Sequence, residues 1–320
     1  MSAGEKFLQM FIAIFAFVAV MGVVLFFADR VRSRRGEVLQ TVAFLLPATV
    51  MIAFGLLYPA IKTVMQSFQV ASGTSYIGFD NYKTIFTSSD QLIVLRNTAF
   101  WVIVTPIAAT VIGLIYAVLI DRARIEKFAK ALIFLPMAIS LVGASIIWKF
   151  MYDYRATENP QIGLLNQILK SLGFDTYRFL LNDPANTLFL IVIMVWVQAG
   201  FAMTVLSASI KAIPDDIVEA ARLDGVSGMR MFRYITVPSI RPSLIVVLTT
   251  ISITTLKVFD IVRTSTGGNF NTSVLANEFY TQSFRAFNTG LGAALASLLF
   301  VLVIPIVVYN VRQMRKLEAR

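Results

Sequence analysis

EAARLDGVSGMRMFRYITVPSI, Glu219–Ile240, is a polar, partly basic stretch with two glycines and a proline. Long apolar runs flank it, in a chain that is 57% hydrophobic and only 14% charged. The residues just before it open a helix well. Pro214 suits a first helical position, and Asp215 and Asp216 sit where the helix dipole is positive. Gly225 stops that helix, Ser227 caps a second short one through about Ile235, and Pro238 ends the second. Two short helices meeting at an elbow are therefore expected. On the first, Ile217, Ala220, Ala221 and Asp224 lie close to one face, and the small alanines admit a close neighbour. Glu219 stands beside them as a charge for a basic group. Such a knob cannot bury itself in lipid. It packs under its own helix bundle or inserts into a partner, and periodicity alone leaves both open.

The surroundings of the elbow fix the class. Soluble chains run nearer one quarter charged, so the solvent for most of these 320 residues is lipid. The absence of cysteine and histidine excludes disulfides, thiolate sites, imidazole metal catalysis and histidine proton relays. A net charge of +10 would suggest nucleic acid in a soluble protein, but here it reports loops facing the cytoplasm, with no nucleic-acid partner.

A crossing helix needs roughly 20 mostly apolar residues. About seven segments qualify: 9–28, 38–61, 97–120, 128–151, 187–210, 243–265 and 289–311. The prolines inside them, Pro47, Pro106, Pro136 and Pro305, are tolerable where neighbouring helices satisfy the freed carbonyls. The first segment is read as a retained anchor, because its apolar core is long for a signal peptide and arginines follow it. Residues 1–36 thus form an anchor helix with a basic loop, and 37–320 the remaining core.

Alternate loops differ in Lys and Arg. One set (29–37, 121–130, 211–241, 312–320) holds 17 in 59 residues, the other 11 in 113. The denser set is assigned to the cytoplasm. This puts the N-terminus outside, the C-terminus inside, and the elbow, about 211–241, in the cytoplasm. The largest outer loop, 153–186, contains GLLNQILKSLG, Gly163–Gly173, with leucines and an isoleucine at helical spacing. A short helix lying on the bilayer or on neighbouring helices is expected there.

The elbow resembles the EAA loop of the membrane subunits of binding-protein-dependent ABC importers. That pattern is E-A-A, three residues, G, nine residues, then I-x-L-P. Here it is Glu219-Ala220-Ala221, Gly225, nine residues, then Ile235-Thr236-Val237-Pro238, with Val237 the one departure. Weaker stretches follow in family order, and are most similar to maltose-type sugar permeases. They are GFDNY (Gly78–Tyr82), RNT (Arg96–Thr98), LPMAISLVGASIIWKFMY (Leu135–Tyr152), GLLN (Gly163–Asn166), NDP (Asn182–Pro184), KVFD (Lys257–Asp260) and TGG (Thr266–Gly268). Family members often have proline after the paired glycines, whereas this chain has Asn269-Phe270.

The resemblance implies an all-α fold with a type I ABC importer permease core in a bacterial or archaeal inner membrane. It implies a subunit that shares a pathway with a second permease, docks on two cytoplasmic ATPase subunits and receives solute from an external binding protein. ATP and magnesium would be held by the ATPases. This chain carries no GxxxxGK[ST] loop, is not an enzyme, and needs no cofactor of its own. Glu219, Ala220, Ala221, Asp224 and Gly225 are the expected ATPase-coupling residues.

By the same resemblance the solute, maltose or another oligosaccharide, would meet Gln198, Phe201, Thr254, Thr255 and Val258. Gln198 and Phe201 are i and i+3 on one helical face, and Thr250, Thr254 and Val258 share another. An amide beside an aromatic ring suits a sugar. The hydroxyls equally suit back-bonding within their own helix or joining helices together, and Trp196 suits packing. Lys257 and Asp260, also i and i+3, are expected to pair near a helix end. The alternative is an ion-gradient-driven secondary transporter. It predicts midplane acids and an internal repeat, and leaves the elbow unexplained.

Overall fold

A computed structural model describes residues 3–30, 34–121, 124–156 and 159–318. The described residues are helical apart from turns and a single antiparallel bridge, Gln69 to Tyr76. They form two compact units, Met1–Met65 and Gln66–Arg320. The first unit holds α1 (Ala3–Arg30), α2 (Arg34–Ile52), a π turn (Ala53–Leu57) and most of α3 (Tyr58–Gln66). Phe7, Phe11 and Phe15 on α1 and Phe54, Leu56 and Leu57 in the π turn are exposed. Such side chains require a hydrocarbon solvent.

The second unit carries α4 (Asp80–Thr87), α5 (Ser89–Ile120), α6 (Glu126–Phe134), α7 (Leu141–Met151), α8 (Leu164–Ser171), α9 (Ala185–Lys211), α10 (Asp215–Leu223), α11 (Gly228–Met231), α12 (Val237–Leu256), α13 (Asp260–Ser265), α14 (Leu275–Phe284) and α15 (Thr289–Glu318). Its core is the pair α5 and α9, with α12 against both and α15 against α12 and α14. Leu190, Ile193, Met194, Met203 and Leu206 of α9 are fully buried. In lipid, apolar side chains gain little by meeting each other, so close backbone approach has to hold helices together. Ala109, Gly113 and Ala117 make such a stripe on α5. A Cβ at Gly113 would lie 2.5 Å from Ala202 Cβ and 2.7 Å from the Met203 nitrogen.

Among the described residues, five helices are long and apolar enough to cross a membrane: Phe44–Gln66, Ser89–Ile120, Ala185–Lys211, Gly228–Leu256 and Thr289–Gln313. Helix α1 contains a shorter apolar stretch, Phe7–Val23. The segment 128–151, expected as one crossing with Pro136 inside it, is two helices bent by 101°. The bend is a 3-10 turn, Leu135–Ala138, containing buried Pro136. Proline cannot donate to the preceding turn, and Ser140 begins α7 afresh by accepting from the Gly143 N–H at 3.1 Å. The prolines at 47, 106 and 305 do remain inside helices.

The segment 243–265 is also redrawn. The helix begins at Gly228, runs continuously to Leu256, and breaks at Lys257–Phe259 before α13. Pro238 therefore does not end a short elbow helix. A π turn at Phe232–Thr236, in which the Val237 N–H reaches the Phe232 carbonyl, carries the chain into α12 around that proline.

The helix expected at 163–173 is α8, and it lies on the bundle. Leu165 and Leu169 pack against the core, while Leu164, Ile168 and Leu172 are exposed. Asn166, fully buried, donates to the carbonyls of Asp153 and Tyr177 and accepts from the Tyr177 N–H at 2.7 Å.

Candidate functional site

The elbow begins three residues beyond α9. Pro214 takes the position before α10, so Asp215 is its first helical residue. The far end closes with a left-handed turn. The Val226 N–H reaches the Ala221 carbonyl at 2.9 Å and the Gly225 N–H reaches Arg222 at 3.0 Å. This crossed pair of bonds requires positive φ at Gly225, which has φ 77°. Nothing lies within 4 Å of where a Cβ would sit, so glycine is needed there for conformation and not for space. Ser227 occupies the N-cap of α11 but makes no side-chain capping bond.

Of the expected coupling residues, Glu219, Ala220, Asp224 and Gly225 are exposed. Ala221 is buried and turns inward, because the bundle-facing row of Val218 and Ala221 lies about half a turn around the helix from the outer row of Ala220 and Leu223. The outward face is more apolar than the motif implies: Leu223 is 84% exposed, Met229 75% and Tyr234 65%. Sequence reasoning missed these three. Their signal was present as large apolar side chains off the buried row of an otherwise polar helix. A cleft of about 580 Å³, lined by Asp121, Lys211, Asp215, Val218, Arg222 and Phe232 among others, undercuts the elbow.

The expected solute residues separate into two groups. Gln198 and Phe201 on α9 and Thr254 on α12 are half-buried, on helices that pack together. Thr254 gives its hydroxyl to the Thr250 carbonyl at 3.0 Å, as Thr249 and Ser252 do to their own helix. Thr255 is 1% exposed and its hydroxyl has no partner among the described residues. Val258 does not share the Thr250–Thr254 face, because α12 ends at Leu256 and Val258 turns into the core in the break that follows. That break also separates Lys257 from Asp260, and the expected ion pair between them does not form. Trp196 packs edge-on against Trp148, ring centroids 5.8 Å apart.

At the other end of α9, buried asparagines gather the short sequence stretches into one network. Asn97 donates to the carbonyls of Asn271 at 2.6 Å and Ser273 at 3.0 Å. Asn186 donates to the Phe270 carbonyl at 2.7 Å, and the Thr98 hydroxyl accepts from the Leu275 N–H at 3.0 Å. Asp183 accepts from Asn271 at 3.1 Å and lies 3.6 Å from Arg96. The loop so held is unusual: Gly267, Gly268, Phe270 and Asn271 all have positive φ. Asparagine suits this work, since one amide can donate twice to carbonyls that no helix satisfies. RNT, NDP and TGG thus sit together although about 170 residues separate the first from the last.

Residues 97–316 match the family of binding-protein-dependent transport system inner membrane components. The chain is 43% identical over 275 residues to the osmoprotective compounds uptake permease protein GgtC of Synechocystis sp., covering 86% of this chain and 99% of that one. It is 43% identical over 270 residues to the alpha-glucoside transport system permease protein AglF of Rhizobium meliloti, covering 84% and 80%. Among solved structures, a chain of a bacterial ABC transporter importing the acidic polysaccharide alginate superposes with a TM-score of 0.75 at 22% identity. The match covers 89% of this chain and 99% of that one, and is a likeness of fold. Helical bundle, broken spans and elbow, together with this match over more than half of its length, place the chain in the family of binding-protein-dependent transport system inner membrane components, as a multi-pass permease subunit.

Proposed function

We propose that this chain is a permease subunit of an ATP-driven importer of glycosides, most simply small α-linked glucosides. The name of one 43%-identical relative, the alpha-glucoside permease AglF, supports that substrate class. Maltose is one member of the class and is not singled out by any residue here. In this reading the chain shares its pathway with a second permease, accepts solute from an external binding protein, and docks α10 on a pair of cytoplasmic ATPase subunits that hold ATP and magnesium. The N-terminus lies outside and the C-terminus inside, as the loop charges favour.

The observation that carries the coupling role is the way α10 is built. It is a short acidic-and-apolar knob, exposed on the face bearing Glu219, Ala220 and Leu223, and fixed between two long helices by a tight left-handed turn at Gly225. Stiff short connections transmit a displacement that flexible ones would absorb. When the ATPases close on ATP, α10 would carry α9 and α12 with it. Gln198, Phe201 and Thr254 lie on those two helices and remain accessible to a solute, whereas Thr255 and Val258 would shape the wall behind them.

Purification after mild solubilisation should recover an ATPase and a second permease with this chain. In proteoliposomes holding the complex and its binding protein, α-glucoside uptake should follow ATP and not an ion gradient. Glu219→Lys should abolish that uptake while membrane insertion survives. Normal uptake by this variant, or uptake driven by a gradient alone, would overturn the proposal.

A further inference from the structure

At the root of the elbow, Glu126 in the first turn of α6 lies between two lysines. Its Oε1 accepts from Lys130 Nζ at 2.7 Å and also pairs with Lys211, the last residue of α9. Lys211 is in turn 3.8 Å from Asp121, just past the end of α5, and Lys130 also donates to the buried hydroxyl of Ser207 on α9. Lys130, Lys211, Glu126 and Asp121 thus form a charged cluster joining the ends of α5, α6 and α9. Glu126 and Lys130 are only 20% and 25% exposed, so water does not fully screen the pair.

The cluster fastens α6 to α9, which also pack together elsewhere. One such place is Gly200, whose Cβ would lie 2.5 Å from the Ile133 carbonyl oxygen, so the two backbones touch there. Gly200 lies between the candidate solute residues Gln198 and Phe201. Beyond the 101° bend, α7 packs against α13, the helix that follows the break at Val258. From the elbow, therefore, α9 and α6 run as a fastened pair toward the region of the expected solute residues.

We propose that Glu126 is a positioning residue for coupling: by clasping Lys130 and Lys211 it locks α6 to α9, so that a displacement of the elbow moves both helices together. The proposal rests on the coupling role of α10. The fold does not depend on the clasp, because the α5–α9 stripe at Ala109, Gly113 and Ala117 holds the bundle. Removing the carboxylate takes away the anion that Lys130 on α6 and Lys211 on α9 share, and so loosens α6 from α9.

The test uses the full complex in proteoliposomes, with radiolabelled maltose, sucrose and trehalose as probes, and reads uptake per ATP hydrolysed. E126Q should keep the ATPases bound and hydrolysing while uptake per ATP falls roughly fivefold, a modest coupling loss. The charge-reversed set Asp121→Lys, Glu126→Lys, Lys130→Glu and Lys211→Glu should recover it. A second readout needs no solute. The chain has no cysteine, so spin labels at Phe128→Cys on α6 and Leu188→Cys on α9 report one distance. That distance should stay fixed between the nucleotide-free and ATP–vanadate states in the otherwise wild-type chain, and broaden or shift in E126Q. Unchanged distances in E126Q, or no recovery in an assembled charge-reversed complex, would overturn the clasp. Gly225→Val in the same vesicles separates the two ideas. Normal transport by it refutes the coupling reading, whereas its loss beside an unimpaired E126Q refutes only the clasp.

Discussion

At its Ala185 end, α9 is tied to the chain by side-chain hydrogen bonds: Asn186 to Phe270, Asn97 to Asn271 and Ser273, Asn271 to Asp183. At its Lys211 end it carries α10, and among the described residues no side-chain hydrogen bond or ion pair involves Asp215–Leu223. What fixes α10 is backbone: the turn at Gly225, the buried Ala221 and the half-buried Val218. The two ends of one helix thus follow opposite rules. The clasped end satisfies its irregular backbone internally, as a loop at membrane depth or against other loops must. The elbow end leaves its acids and its largest apolar side chains uncovered, as a surface meant for another protein does.

The strongest way to break this contrast is at Gly225. A β-branched residue in the left-handed region costs roughly 1–2 kcal/mol, enough to rearrange a turn held by two hydrogen bonds. Gly225→Val should therefore cut ATP-driven uptake at least about tenfold. The melting of the solubilised chain should fall by no more than that local strain implies, since no atom lies within 4 Å of the new Cβ. A large stability loss with coupling intact would invert the comparison.

Asn97→Ala tests the other end. It orphans the carbonyls of Asn271 and Ser273, at about 1–3 kcal/mol for buried groups left unpaired. Thermal unfolding in detergent should show the drop, while the purified complex retains its ATPases. An unchanged melting temperature would mean that the asparagine network holds nothing.

Leu223→Ser should have the smallest effect on the chain alone, within about 0.5 kcal/mol, because the side chain is 84% exposed. Retention of the ATPases during purification should nonetheless weaken. Equal retention by the wild type and the variant would remove Leu223 from the docking face and leave that role to Glu219, Ala220 and Asp224.

Much of this was legible in the residues. The all-helical class, most of the crossings and the elbow follow from apolar run length, from Gly225 and from the aspartates that open α10. About seven crossings were expected, whereas five helices, or six with the bent pair, are long and apolar enough among the described residues. The elbow motif could be read because its constraints are local: a helix start, a left-handed stop and a fixed spacing. Where the reading failed, hydropathy was the wrong guide. Residues 128–151 and 243–265 are apolar enough to cross unbroken, yet the first bends at Pro136 and the second ends at Leu256. Hydropathy counts transfer free energy along the chain and carries no information about direction. Val258 was misplaced for the same reason, since a helical face was extended past the helix.

The residues alone determined that the chain lives in lipid, where its helices lie, and that a stiff polar elbow interrupts them, because side-chain transfer, helix capping and glycine's access to positive φ act within a few positions. Tertiary structure decided which short stretches meet. Asn97, Asn186 and Asn271 stand close in space only because α5 and α9 run together through Gly113 and Ala202. Hydrogen bonds between residues far apart in the chain depend on that packing, and no window of sequence contains it.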